Sequence, residues 1–312
     1  MVADKLKAIR EAMAAKRTQL HLITALDDVA WTLNLRGSDV AYNPVFLGYI
    51  ALTDKEATLF VDKAKLTPEV EAHLAKAQVA IRDYDAFYDY LSTVKGQNIL
   101  LAANTNQAIF EALQKDNRIV QSPAPGNLMK AVKNETELAG FRTVMERDGV
   151  AMVNFLYWLT HQVGKEPMTE YSIGKKLREF RAAGANFVGE SFGSIIGYQG
   201  NGAIVHYSAP EHGSKEVHAE GSILVDSGGQ YLEGTTDITR TIPLGKVSQQ
   251  FIDDSTLVLK GMIQLAMVQF PKGTRGVQLD AYARMALWKN HKDYGHGTGH
   301  GVGSFMNVHE GP

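Results

Sequence analysis

The stretch that most constrains this chain lies near its end, where glycine occupies every second position from 295 to 303: Gly295-His296-Gly297-Thr298-Gly299-His300-Gly301-Val302-Gly303. Side chains of an extended strand alternate between faces. If this run is extended, one face is bare backbone and the other carries His296, Thr298, His300 and Val302. Two imidazoles then project the same way from a backbone that another group can approach closely. That suits a metal or substrate site. A flexible loop, or a backbone nest for an anion, fits the same residues.

A second constellation lies upstream. Ile223-Leu224-Val225-Asp226-Ser227-Gly228-Gly229 is an apolar strand delivering an aspartate into glycine-rich turn material. Asp237 follows eleven residues later, in Thr235-Thr236-Asp237-Ile238-Thr239-Arg240-Thr241-Ile242. If the two strands pair antiparallel with 226 opposite 237, their Cβ atoms lie ~5 Å apart. Carboxylates that close repel unless one is protonated or a cation lies between them. Alternatively, Asp226 caps a turn and Asp237 pairs with Arg240. His206 (in Gly202-Ala203-Ile204-Val205-His206-Tyr207) and His309 (in Asn307-Val308-His309-Glu310-Gly311-Pro312) are the other histidines with a suggestive context. His212, His218 and His291 read as surface residues.

With 312 residues, 45% hydrophobic and 21% charged, the chain can bury a sizeable core as one large or two medium domains. The formal net charge of −2 gives no reason to expect nucleic-acid binding. The absence of Cys excludes disulfides, thiolate nucleophiles and Cys-ligated zinc. Met1-Val2-Ala3-Asp4-Lys5 opens an amphipathic stretch, so a signal peptide is not expected here, and no apolar run approaches membrane-spanning length. A cytoplasmic protein is therefore expected. Helices are expected over 4–16, 67–76, 84–93 and 105–114, alternating with strands at 20–24, 46–52, 57–61, 78–82, 98–102 and 118–120. This is an α/β domain of residues 1–124. Ser122-Pro123-Ala124-Pro125-Gly126 breaks the pattern and marks a boundary. Asn134-Glu135-Thr136-Glu137 then caps a long helix to about 163. A helix over 168–182, strands at 192–196, 223–225 and 237–242, and helices over 248–270 and 277–288 make residues 125–312 an α+β domain.

Asp226 to Arg240 (DSGGQYLEGTTDITR) together with His296 to Pro312 (HGTGHGVGSFMNVHEGP) resembles the aminopeptidase P branch of the pita-bread metallopeptidases. Gly200 to Tyr207 and Lys130 to Asn134 fit the same family. Leu26 to Tyr49 (LDDVAWTLNLRGSDVAYNPVFLGY) is similar to the second domain of its long, three-domain members. The resemblance implies a creatinase-like α/β domain followed by a pita-bread domain, and an enzyme that removes the N-terminal residue from peptides with proline second. It implies two divalent metals, manganese foremost with zinc or cobalt as alternatives, and attack by a hydroxide held between them. On this likeness Asp226, Asp237 and His300 are metal ligands. His296, His206 and His309 lie around the substrate, position the scissile carbonyl and relay protons. Phe192 or Tyr207 is a candidate wall for the proline ring. The partners expected are Xaa-Pro peptides, together with a homodimer partner or a second chain that completes the catalytic domain.

The family supplies two further metal-binding glutamates beyond the segment that ends here at Pro312. Asp226, Asp237 and His300 offer two negative charges to two dications, leaving +2 in a site that is normally closed, which is costly. The expectation is that this span alone binds two metals weakly and has little activity, with the catalytic domain incomplete at its C-terminus and strand edges left open. A non-catalytic scaffold of the same fold and a prolidase-like dipeptidase are the competing readings.

Overall fold

Apolar residues on both faces of its strands fix the layering of the first unit. The computed structural model describes residues 1–311 and comprises two units; the first is Met1–Leu138 with residues 303–307 and 311. Its elements are α1 (Val2–Ala15), β1 (Leu20–Ile23), α2 (Leu26–Leu33), β2 (Gly48–Thr53), β3 (Ala57–Val61), α3 (Pro68–Lys76), β4 (Val79–Asp83), α4 (Ala86–Thr93), β5 (Asn98–Leu101), α5 (Gln107–Gln114), β6 (Arg118–Gln121) and α6 (Pro125–Ala131). The strands form one mixed sheet in the order β4-β3-β2-β1-β5-β6. β1 pairs parallel with β5 and antiparallel with β2.

Alternation along each strand feeds two cores. Ile50, Leu52, Leu59, Val61 and Leu100 face the layer of α1, α2 and α3. Ala51, Phe60, Ile99 and Leu101 face α4 and α5. Thr67 and Asn106 cap α3 and α5 with side-chain hydrogen bonds, as residues of these types do at helix starts. Met306 is buried in the first of these cores, and Arg36 donates to the carbonyls of Ser304 (3.0 Å) and Phe305. Lys130 on α6 is buried against Asp27 and Asp28 at the start of α2.

The second unit comprises residues 139–302 and 308–310. It contains most of α7 (Glu135–Gln162), then α8 (Glu170–Ala182), β7 (Phe187–Glu190), β8 (Ile195–Tyr198), β9 (Ser222–Ser227), β10 (Gly229–Tyr231), β11 (Gly234–Thr235), β12 (Ile238–Pro243), α9 (Gln249–Met267) and α10 (Gly276–Trp288). Two three-stranded antiparallel sheets form, β11-β10-β7 and β12-β9-β8. Phe155 and Leu159 of α7, Ile173 and Leu177 of α8, and Ile196, Ile223, Val225 and Ile238 of the second sheet make its core. Beneath β10, Arg181 of α8 donates to both Asp148 carboxylate oxygens of α7 (2.7 and 3.2 Å), and Tyr231 adds a hydroxyl at 2.8 Å.

Several expectations shift. The capping box predicted at Asn134 is present, with Asn134 and Glu137 bonding each other's backbone N–H at 2.9 Å. The break at Ser122–Gly126 is instead the entry to α6, whose Pro125 occupies the first helical turn, where proline is tolerated. The first unit accordingly runs on to Leu138. The strand expected over 192–196 starts only at Ile195, as β8, and a separate strand, β7, precedes it at Phe187–Glu190. The glycine-spaced run of 295–303 is irregular, with bends at 295 and 296 and one isolated bridge, Gly301 to Glu310, and is not a strand. Without Cβ atoms to pack, alternate glycines leave its path to side chains at either end.

Two buried groups give stability predictions. His21 on β1 is almost fully buried, its Nδ1 3.0 Å from the Leu100 carbonyl, and burial pushes its pKa down to about 4. The folded chain then holds fewer protons than the unfolded chain between roughly pH 6.5 and 4. Stability is intact above that window and falls as pH drops through it, by up to roughly 3 kcal/mol. The loss of the first unit's urea midpoint between neutral and mildly acid pH should shrink in His21→Gln. In the second unit Arg181 and Asp148 are wholly buried. Truncating Asp148→Ala leaves the guanidinium unpaired and should destabilise that unit by about 3–5 kcal/mol in chemical denaturation.

Candidate metal centre

The site grows out of the β9–β12 ladder. Along β9, Ile223, Val225 and Ser227 are buried while Ser222, Leu224 and Asp226 are half-exposed. Strand alternation thus sends Asp226 away from the helix-covered core. Asp226 is opposite Thr239, and Ser227 opposite Ile238. The pairing of 226 with 237 considered from sequence is therefore displaced by two residues. A shift of two preserves the face, so Asp237 is a diagonal neighbour of Asp226 on the same side. Thr239 fills the directly opposite position and donates its hydroxyl to Asp226 Oδ1 at 2.7 Å. Arg240 donates to the Thr239 carbonyl.

Burial raises the Asp237 pKa, the Asp226 carboxylate raises it further, and His300 and His309 oppose the rise. His300 Nε2 is 3.3 Å from Asp237 Oδ2. The other ring nitrogen, Nδ1, is 2.6 Å from the Gly301 carbonyl. A carbonyl only accepts, so Nδ1 carries a hydrogen and Nε2 is the ring nitrogen that faces Asp237. A proton or a cation shared between Nε2 and the carboxylate satisfies both at that distance. The His309 ring packs edge-on against His300 at 4.3 Å, and the His206 ring is 6.4 Å from His309. Asp237, His300, His309 and His206 thus form a continuous series, with Asp226 beside its first member.

His296 is placed differently. Its ring packs on Tyr294 at 4.8 Å, and its Nδ1 is 2.8 Å from the Gly297 carbonyl. Arg284 of α10 holds this part of the run. It donates to Asp280 (2.7 Å), Asp293 (2.8 Å) and the carbonyls of Tyr294 and His296 (both 2.7 Å). The Thr298 hydroxyl donates to Asp280 and lies 2.5 Å from the Tyr294 hydroxyl. The face shared by His296, Thr298 and His300 in an extended run is replaced by separate anchorages. Tyr207 gives its hydroxyl to Glu170 at 2.7 Å.

The turn joining the two aspartates is clamped. A Cβ on Gly228 would lie 2.0 Å from the Thr236 carbonyl and 2.2 Å from Ser191 Oγ, so only glycine fits. Ser191 donates its hydroxyl to the Thr236 carbonyl at 2.8 Å and its N–H to the Gly228 carbonyl at 3.1 Å. Thr236 accepts from Gly229 N at 2.9 Å. Glu170, Ser191 and Arg284 escaped the sequence reading. Only Arg284 left a signal, its i,i+4 spacing from Asp280 on one helix.

Among the described residues, no group of three or more His, Asp or Glu side chains is gathered tightly enough to hold a metal outright. The donors nevertheless fit a divalent cation in kind. Two carboxylates and an imidazole whose Nε2 faces them suit manganese or zinc chemistry, and the carboxylate of Asp237, its pKa raised by burial, gains from a neighbouring positive charge.

A sheet-borne aspartate pair with histidines gathered beside it suits a metal-dependent hydrolase in kind, and comparison with known proteins gives the family. Residues 139–312 match the model of metallopeptidase family M24, and residues 1–137 that of the creatinase/prolidase N-terminal domain. The chain belongs to the M24 family, with a creatinase-type α/β domain preceding a pita-bread domain. It is 42% identical over 315 residues to Xaa-Pro aminopeptidase 1 of Dictyostelium discoideum, covering 99% of this chain and 50% of that protein. It is 44% identical over 329 residues to a probable Xaa-Pro aminopeptidase P of Metarhizium acridum, covering all of this chain and 53% of that protein. The crystal structure of X-prolyl aminopeptidase from Caenorhabditis elegans, described as a cytosolic enzyme with a di-nuclear active site, superposes with a TM-score of 0.93 at 36% identity, over all of this chain and 52% of that one. The chain spans about half the length of these relatives.

The clamp gives a prediction. Ser191→Ala frees the Thr236 carbonyl, one residue from Asp237, and should weaken Mn(II) binding roughly tenfold in calorimetric titration. The accompanying loss of stability should be only about 1 kcal/mol.

Proposed function

We propose that this chain forms part of a metal-dependent aminopeptidase that removes the N-terminal residue from peptides with proline second. The observation that carries the reading is the inward-facing Nε2 of His300 against Asp237, with Asp226 on the same sheet face. The relatives named Xaa-Pro aminopeptidase support it across nearly the whole chain. Asp226, Asp237 and His300 would hold the cations. A bound divalent pair would supply a water acidified to near-neutral pKa and a Lewis acid for the scissile carbonyl.

The chain's own residues do the remaining work. His309, packed on His300, and His206, next in the series, are placed to hold the carbonyl and to receive and return a proton as general acid–base groups. His296, restrained by Tyr294 and Arg284, contributes on the substrate side. An Xaa-Pro bond has no amide N–H, so a site for it requires no acceptor at that nitrogen, only room for the ring. Manganese is the metal we assign, and peptides the partners. The cytoplasm is the compartment we assign; among the described residues, no helix is long and apolar enough to cross a membrane.

The test is release of the first residue from an Xaa-Pro-Pro peptide with added Mn(II), set against an Xaa-Pro dipeptide. The tripeptide should be cleaved and the dipeptide resist. Asp237→Asn should cut turnover by more than about 100-fold. Preference for the dipeptide would replace the aminopeptidase reading with a dipeptidase, and no metal-dependent cleavage of either by this span joined to the segment that supplies the two further family glutamates would end it.

A further inference from the structure

We propose that Glu170 is a positioning residue that sets the placement of His206, a role resting on the reading of His206 as a substrate-side group. Glu170 is the first residue of α8 after its Thr169 cap, and it is wholly buried. A carboxylate in that position is costly unless its oxygens are hydrogen-bonded. Glu170 accepts from Tyr198 N (2.7 Å), from Asn201 Nδ2 at both oxygens (3.0 and 3.1 Å) and from the Tyr207 hydroxyl (2.7 Å). Such charge-assisted bonds are the strong kind, and the N-terminal end of a helix favours the negative charge.

All three donors belong to one turn. Tyr198 closes β8, Asn201 lies in the short 3-10 turn Gln199–Ala203, and Tyr207 ends the excursion. The turn is also pressed onto its own strand: a Cβ on Gly197 would lie 2.7 Å from the Gly202 backbone. Between these fixed points, His206 has a φ of 56°, a left-handed backbone that a non-glycine residue keeps only when its surroundings impose it. The Tyr207 anchor next to it is the nearest such constraint. The outcome is an exposed imidazole 6.4 Å from the His309 ring. A buried carboxylate is a poor means of stabilising a core compared with a well-packed apolar residue; here its four bonds give direction to one histidine.

Two variants of the full chain test this, Glu170→Gln and Tyr207→Phe. The first puts an amide N–H in front of donors that need an acceptor, and the second removes only a hydroxyl. In histidine side-chain NMR, with His206 assigned through His206→Ala, the His206–His309 ring contact should disappear in each variant that retains its cooperative unfolding transition. Where peptide cleavage is measured, Tyr207→Phe should lower kcat/KM by roughly 10- to 100-fold and cause no further loss in the His206→Ala background. A retained ring contact in Tyr207→Phe, or an equal loss in both backgrounds, would overturn the proposal. Should Glu170→Gln not fold, Tyr207→Phe decides alone. Where this span cleaves too little peptide to measure, as expected without the two further family glutamates, the NMR comparison alone judges Glu170.

Discussion

Two like charges on one face of an antiparallel ladder are the constraint that the second unit is arranged around. Asp226 ends the exposed face of β9, and Asp237 precedes β12 two residues beyond the position directly opposite. Placed closer, they would repel more strongly; placed on opposite faces, they could not share a cation. The diagonal register, with Thr239 bonded to Asp226 between them, keeps both carboxylates available. Burial and the Asp226 carboxylate both raise the Asp237 pKa. A positive charge beside Asp237 relieves that, and Nε2 of His300 faces the same point.

The scaffold beneath is built for holding rather than for packing alone. Gly228 lets the Thr236 carbonyl approach where any side chain would collide, and Ser191 bonds both halves of the turn. Arg284 gathers carboxylates and carbonyls from residues 280 to 296, giving one path to a glycine-spaced segment with little conformational preference of its own. Buried pairs such as Arg181 with Asp148 contribute little net stability over apolar substitutes, yet they fix α7, α8 and β10 against one another with defined geometry. Across the unit, polar groups specify position while Phe155, Leu159, Ile223 and Val225 supply the hydrophobic driving force.

Much of this was legible from sequence because it depends on local period. Helical spacing revealed α1, α3, α4 and α5 of the first unit, and apolar runs revealed its strands, while α6 was read as a break. The aspartates stood out only together and with His300, since either alone reads equally as a turn cap or an ion-pair partner. What stayed hidden depends on tertiary distance. The ladder register is set by the turn that Ser191 clamps, and no pattern within residues 226–237 encodes a partner at 191. Residues 295–303 looked extended because alternation is the only order visible in them, whereas their course is decided by Arg284 and Asp280 on α10. Pro125 looked like a boundary because proline breaks more helices than it starts. Glu170 looked like an ordinary first-turn glutamate, since burial of a helix N-terminus leaves no trace in a single sequence.

The central claim is that His300 and the two aspartates hold one pair of cations between them. Electron spin-echo modulation of Mn(II) added to the protein tests it most directly, because an imidazole nitrogen bound to manganese gives a distinct modulation. The wild type should show that modulation, and His300→Gln should lose it while still binding Mn(II), more weakly, through carboxylate oxygens. Modulation that persists unchanged in His300→Gln, or that is absent from metal-loaded wild type, would contradict the account.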